Sequence, residues 1–125
     1  MPLKVVLRPG EKLIVNGAVL GAGDRAATLF LHNHAQFLRG RDMLRPEDAR
    51  CPLGRLQLAI QGLYLASDQE RPAHRASLAD AARAARECRP DLAAEIATCA
   101  ELVLAGAGYQ AMRRCARLLL APSGG

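Results

Sequence analysis

The chain has 125 residues, half of them hydrophobic, and a formal charge of +5 from seventeen Lys and Arg against twelve Asp and Glu. That length holds one compact domain or two small ones, and no apolar run approaches the roughly 20 residues that cross a bilayer, which excludes membrane insertion. The excess of positive charge favours an anionic partner, and because only Lys4 and Lys12 are lysines it is carried by arginine, whose planar fork matches phosphate. High-GC codon usage would enrich Arg and Ala in the same way.

In chain order, the opening third is rich in β-branched residues and turn signals. Leu3 to Leu7 reads as a strand stopped by Arg8-Pro9-Gly10-Glu11. Lys12 to Val15 is a second, and Asn16-Gly17 is a strong hairpin signal because both residue types tolerate positive φ. Ala18 to Leu20, Ala27 to His32 and a short Gln36 to Arg39 complete an expected antiparallel meander.

At Arg45-Pro46-Glu47-Asp48 the pattern turns helical, since Pro followed by acids suits a helix N-terminus. Cys51 to Gly54 is expected to interrupt, and Arg55 to Leu65 forms the first main helix. Its face is Leu56, Ala59, Ile60, Leu63 and Tyr64. Ser67 to Pro72 reads as a linker, Arg75 to Glu87 as an Ala-rich helix, and Asp91 to Leu104 as the next. Tyr109 to Leu120 returns as an antiparallel partner with Tyr109, Met112, Ala116, Leu119 and Leu120 inward and Arg113, Arg114 and Arg117 outward. The fold class is therefore α+β: four or five short strands followed by three or four helices. It divides into a β module over 1–45, a helical module over 46–121 and a flexible tail over 122–125.

Catalytic chemistry is poorly supplied. Ser67, Ser77 and Ser123 lack a nucleophile-elbow setting, and Cys51, Cys88, Cys99 and Cys115 form no CxxC pair. With no signal peptide before them, these cysteines read as reduced thiols of a cytoplasmic protein. His32-Asn33-His34 sets two rings on one side of a strand, but no spacing supplies the further ligands zinc needs. No enzyme activity, metal or cofactor is expected.

Residues 1–45 hold seven bases (Lys4, Arg8, Lys12, Arg25, Arg39, Arg41, Arg45) against three acids (Glu11, Asp24, Asp42), a net +4 of the total +5. Four aromatics, Phe30, Phe37, Tyr64 and Tyr109, make no row of base-stacking platforms of the kind that single-strand binders use. Nucleic-acid contact would rest on arginine and strand-edge backbone, and a solvated basic face is the plain alternative.

The stretch from Pro2 to Val19 (PLKVVLRPGEKLIVNGAV), followed by Gly23-Asp24-Arg25, Leu38-Arg39, Asp42 to Leu44, Arg55, Ala59, Gln61, Tyr64-Leu65 and Gly108-Tyr109, resembles the FlbT family of flagellar biosynthesis repressors. At Gln57, Leu58 and Gly62 the sequence departs from the family's preference for aromatic and larger apolar residues. The resemblance implies a cytoplasmic post-transcriptional regulator that associates with the 5′ untranslated leader of flagellin mRNA and promotes its decay, with the flagellar regulator FlaF as a partner. It implies no catalytic residue.

A fainter similarity joins Arg8, Gly10-Glu11, Leu13-Ile14 and Leu38 to Met43 to the carbon storage regulator family, which grips RNA with Arg and strand-edge backbone and pairs two chains through interleaved strands. It implies a homodimer and leaves either Arg39 or Arg41 as the contacting arginine. The expected RNA-contacting set is Lys4, Arg8, Lys12, Arg39 and Arg41, and the expected protein-contacting set is Arg113, Arg114 and Arg117. The competing expectation is an interaction adaptor or chaperone of flagellar assembly that affects mRNA only indirectly.

Overall fold

A computed structural model describes residues 2–16, 18–33 and 35–121. Gly17, His34 and the expected tail 122–125 lie outside these residues. The chain separates into two compact units, Met1–Met43 and Leu44–Gly125. Strands precede helices, as the α+β reading predicts, and among the described residues no helix is long and apolar enough to cross a membrane.

The first unit holds β1 (Leu3–Leu7), β2 (Lys12–Val15), β3 (Ala18–Gly21), β4 (Ala27–Leu31) and β5 (Phe37–Arg39), all antiparallel. Pairing is not simply sequential. β2 and β3 form the expected hairpin, with Val15 opposite Ala18, and Asn16 takes the left-handed φ of 49° that its turn requires. β1, however, pairs with β4, and β5 returns to β2, giving a two-stranded and a three-stranded sheet.

Alternation explains why two sheets form. Val5 and Leu7 of β1 point inward with Leu13 of β2, and the partly buried Val15, Ala22, Leu29, Leu31 and Phe37 close round them. Two short sheets facing each other bury more of these side chains than one flat meander could. Asn16 pins the far end, its N–H donating to the Gln36 carbonyl at 2.9 Å and its Oδ1 accepting the Gln36 N–H at 3.1 Å.

The second unit holds α1 (Pro52–Leu65), α2 (Arg71–Cys88), α3 (Ala93–Leu104) and α4 (Gly108–Leu119). The expected start at Pro46 is a single 3-10 turn, Pro46–Asp48, and the expected interruption at Cys51 is where the first helix begins. Cys51 caps α1 by accepting the Gly54 N–H on its sulfur at 3.3 Å, and Pro52 needs no N–H partner in the first turn. The expected linker at Ser67 is a closed turn that leads into α2: the Ser67 hydroxyl donates to the Glu70 carboxylate at 2.8 Å and the Ser67 N–H reaches the same oxygen at 3.2 Å.

α4 is rotated from its expected orientation. Gly108, Ala111, Met112 and Cys115 are buried, whereas Tyr109, Leu119 and Leu120 are exposed. Close approach decides this. A Cβ on Gly108 would lie 2.5 Å from the Tyr64 ring, so the small-residue stripe rather than the bulky one faces α1. The Cys115 thiol then donates to the Leu53 carbonyl at 3.7 Å, and burial pushes its pKa up to about 12.

Among the described residues, Gln61 is the one polar side chain buried with the apolar core residues. Its amide accepts the Leu44 N–H at 2.7 Å and donates to the Leu44 carbonyl at 3.0 Å, so it behaves as a peptide group in an antiparallel ladder. The segment that enters the helical unit is thereby fixed to α1.

Candidate functional site

Four basic residues of the first unit, Arg8, Lys12, Arg39 and Arg41, lie near one turn. Arg8-Pro9-Gly10-Glu11 closes with a Glu11 N–H to Arg8 carbonyl bond of 3.0 Å, and Gly10 takes a φ of 78°. That is a type II turn, with Pro preset at its second position and glycine at its third. The Glu11 side chain returns to accept the Arg8 N–H at 2.6 Å. Two further bonds, Gly10 N–H to the Gly23 carbonyl at 3.1 Å and Ala22 N–H to the Glu11 carbonyl at 2.9 Å, hold this turn against the one between β3 and β4.

β5 delivers the remaining cations. Register sets Leu13 opposite Arg39, and the chain continues into a 3-10 turn, Gly40–Asp42, that carries Arg41. Gly40 lies on Lys12, where an added Cβ would meet the Lys12 Cβ at 3.2 Å and its carbonyl oxygen at 3.3 Å. The Glu11 carboxyl records the convergence: it is held below the usual glutamate range first by the Arg8 N–H, against some desolvation, and then by the positive charges of Arg41, Arg39 and Arg8.

Arg8, Lys12, Arg39 and Arg41 thus lie near Glu11, with Asp42 in the same 3-10 turn as Arg41. Among the described residues none of the four has a carboxylate within 4.0 Å. Arg39 is partly committed, donating from Nη1 to the Val6 carbonyl at 3.0 Å, which ties the two sheets together and leaves the rest of its five-donor fork. Arg8, Lys12 and Arg41 are exposed. Lys4 stands apart on the outer face of β1, opposite Phe30.

Sequence reasoning missed two members of this surface. The sequence marks Glu11 as the end of the Arg8-Pro9-Gly10-Glu11 turn and as an opposing charge, but not as the group that Arg8, Arg39 and Arg41 surround. Phe30 is 53% exposed beside Lys4, with its ring centroid 6.5 Å from that of His32. It offers one aromatic face where the sequence promised no row of them. Among the described residues no group of three His, Cys, Asp or Glu could hold a metal.

In the second unit, Arg113, Arg114 and Arg117 are all exposed on α4. Arg114 and Arg117 line a groove against α3, and Arg113 does not.

A family model described as flagellar protein FlbT matches residues 3–121. The probable flagellum biosynthesis repressor protein FlbT of Caulobacter sp. (strain K31) is 43% identical over 65 residues, which cover 52% of this chain and 50% of that protein. The flagellum biosynthesis repressor protein FlbT of Caulobacter vibrioides (strain ATCC 19089) is 42% identical over 65 residues, 52% of this chain and 46% of its own. The match to these relatives spans about half their length. A probable flagellum biosynthesis repressor protein FlbT of Rhodopseudomonas palustris (strain TIE-1) is 29% identical over 119 residues, covering 95% of this chain and 93% of that one. No solved structure matches the chain significantly.

Proposed function

The chain belongs to the FlbT family, and from that premise we propose that it is a repressor of flagellum biosynthesis that acts by binding the 5′ untranslated leader of flagellin mRNA. The relatives' description as flagellum biosynthesis repressors supports the regulatory part. The observation that carries the RNA part is the gathering of Arg8, Lys12, Arg39 and Arg41 round one turn, without a carboxylate within 4.0 Å of any of them among the described residues.

Guanidinium forks so placed suit phosphates and guanine edges, with Lys4 and Phe30 as an outlying contact on β1 and β4. The protein acts in the cytoplasm, cuts nothing itself, and promotes decay by opening the leader to nucleases. A homodimer joins through β3, an edge strand whose Val19 and Leu20 are 63% and 42% exposed. The helical unit docks a protein partner such as FlaF.

A gel-shift titration of a flagellin leader against salt tests this reading. With about four cations on a single strand, log K should fall against log salt with a slope of about −3. A leader that stays unbound at low salt, with pure protein alone and with partner, refutes direct RNA contact. An adaptor acting on mRNA only indirectly is the second reading, and the groove between α3 and α4 favours it.

A further inference from the structure

α3 and α4 run side by side and leave a cleft of about 230 Å³ lined by Glu95, Cys99, Arg114, Arg117 and Leu118. On α3 the lining residues are four apart and on α4 they are three and four apart, so each helix contributes one stripe to the groove. Cys99 forms a buried floor, Leu118 is half-buried, and Glu95, Arg114 and Arg117 stand exposed along the walls. Among the described residues neither arginine has a carboxylate within 4.0 Å, Glu95 included. α4 carries three arginines and no acid, although the chain from residue 46 onward has a net charge of only +1 (ten bases, nine acids).

We propose that this groove docks an acidic amphipathic segment of a partner protein, whose carboxylates pair with Arg114 and Arg117 and whose apolar side chain packs on Leu118 over Cys99. The proposal deepens the partner-docking part of the function above and is independent of the RNA part. Three features select the occupant. The volume lies below the roughly 300 Å³ at which small-molecule pockets begin, and suits one or two side chains of a larger body. The apolar floor contributes nothing to a phosphate backbone but buries an aliphatic group. Glu95 faces the arginines across the groove and repels a continuous run of phosphates, whereas carboxylates spaced along one helix face can meet Arg114 and Arg117 without lying against it.

The test uses the full chain and a fluorescein-labelled synthetic amphipathic helix carrying Glu and Leu at i, i+3 and i+4 spacing, followed by fluorescence anisotropy. Saturable binding is expected. R114A with R117A should weaken it at least about tenfold, since charge-assisted forks are lost, and E95Q should tighten it by removing an opposing charge. All three side chains are exposed, and unchanged thermal midpoints would exclude misfolding as the cause.

The paired controls are reciprocal: R114A with R117A should leave leader RNA binding intact, and R39E with R41E should leave peptide binding intact. Absence of saturable peptide binding, or insensitivity to the arginine pair, overturns the proposal even where RNA binding persists. So does an oligoribonucleotide that requires Arg114 and Arg117, which would make the groove a nucleic-acid site.

Discussion

Gln61 places two buried hydrogen bonds on one side chain, and its replacement separates pairing from packing. Gln61→Leu keeps the volume but strands the Leu44 N–H and carbonyl, which the amide holds at 2.7 and 3.0 Å. Leaving such groups unpaired should cost about 1–3 kcal/mol, read as a lower urea midpoint with an unchanged slope. The thiols give a second test at this scale. Cys51 and Cys88 are exposed and Cys99 and Cys115 are buried, and burial raises the pKa of both inner thiols. A disulfide reagent applied to the native protein near pH 8 should therefore label Cys51 and Cys88 rapidly and the other two only after denaturant; equal rates would contradict this packing.

At the scale of elements, the entry to α2 rests on the Ser67–Glu70 turn and α4 on its small-residue stripe. Glu70 is held below the usual glutamate range by the Ser67 hydroxyl, then by the Ser67 N–H. A carboxylate depressed in the folded state stabilises above its unfolded pKa and loses that contribution as pH falls through the folded one. Glu70→Gln should thus flatten the loss of stability below about pH 4.5 while changing little at acid extremes. Gly108→Ala should destabilise by about 1–3 kcal/mol, because its methyl would overlap the Tyr64 ring.

The same elements explain what sequence alone could reveal. Strand positions followed from alternation and from Pro-Gly and Asn-Gly signals, since these are local. The pairing of β1 with β4 did not, because it depends on closing a core between sheets. The Ser67-x-x-Glu70 pattern has the spacing of a capping box, but its bonds close a turn ahead of α2 instead of capping it. The face of α4 was misjudged because bulky side chains were expected inside, whereas helix proximity at Tyr64 selects Gly108, Ala111 and Cys115. The candidate arginines were visible as charges, but their meeting at Glu11 required the register of β5 on β2.

At the scale of the whole molecule, charge is divided unequally. Residues 1–43 carry +3 of the net +5, and four of the first unit's cations lie near one turn while α4 presents its own. We propose polyanion binding for the first set and protein docking for the second. The most direct measurement is the dissociation constant of a flagellin leader RNA for the wild type, for R39E with R41E, and for R114E with R117E, at one fixed salt. Reversing two of about four phosphate-facing charges should weaken binding more than about tenfold, with the α4 pair leaving it within about twofold. Equal affinities for wild type and R39E with R41E, or loss confined to the α4 variant, would contradict the account.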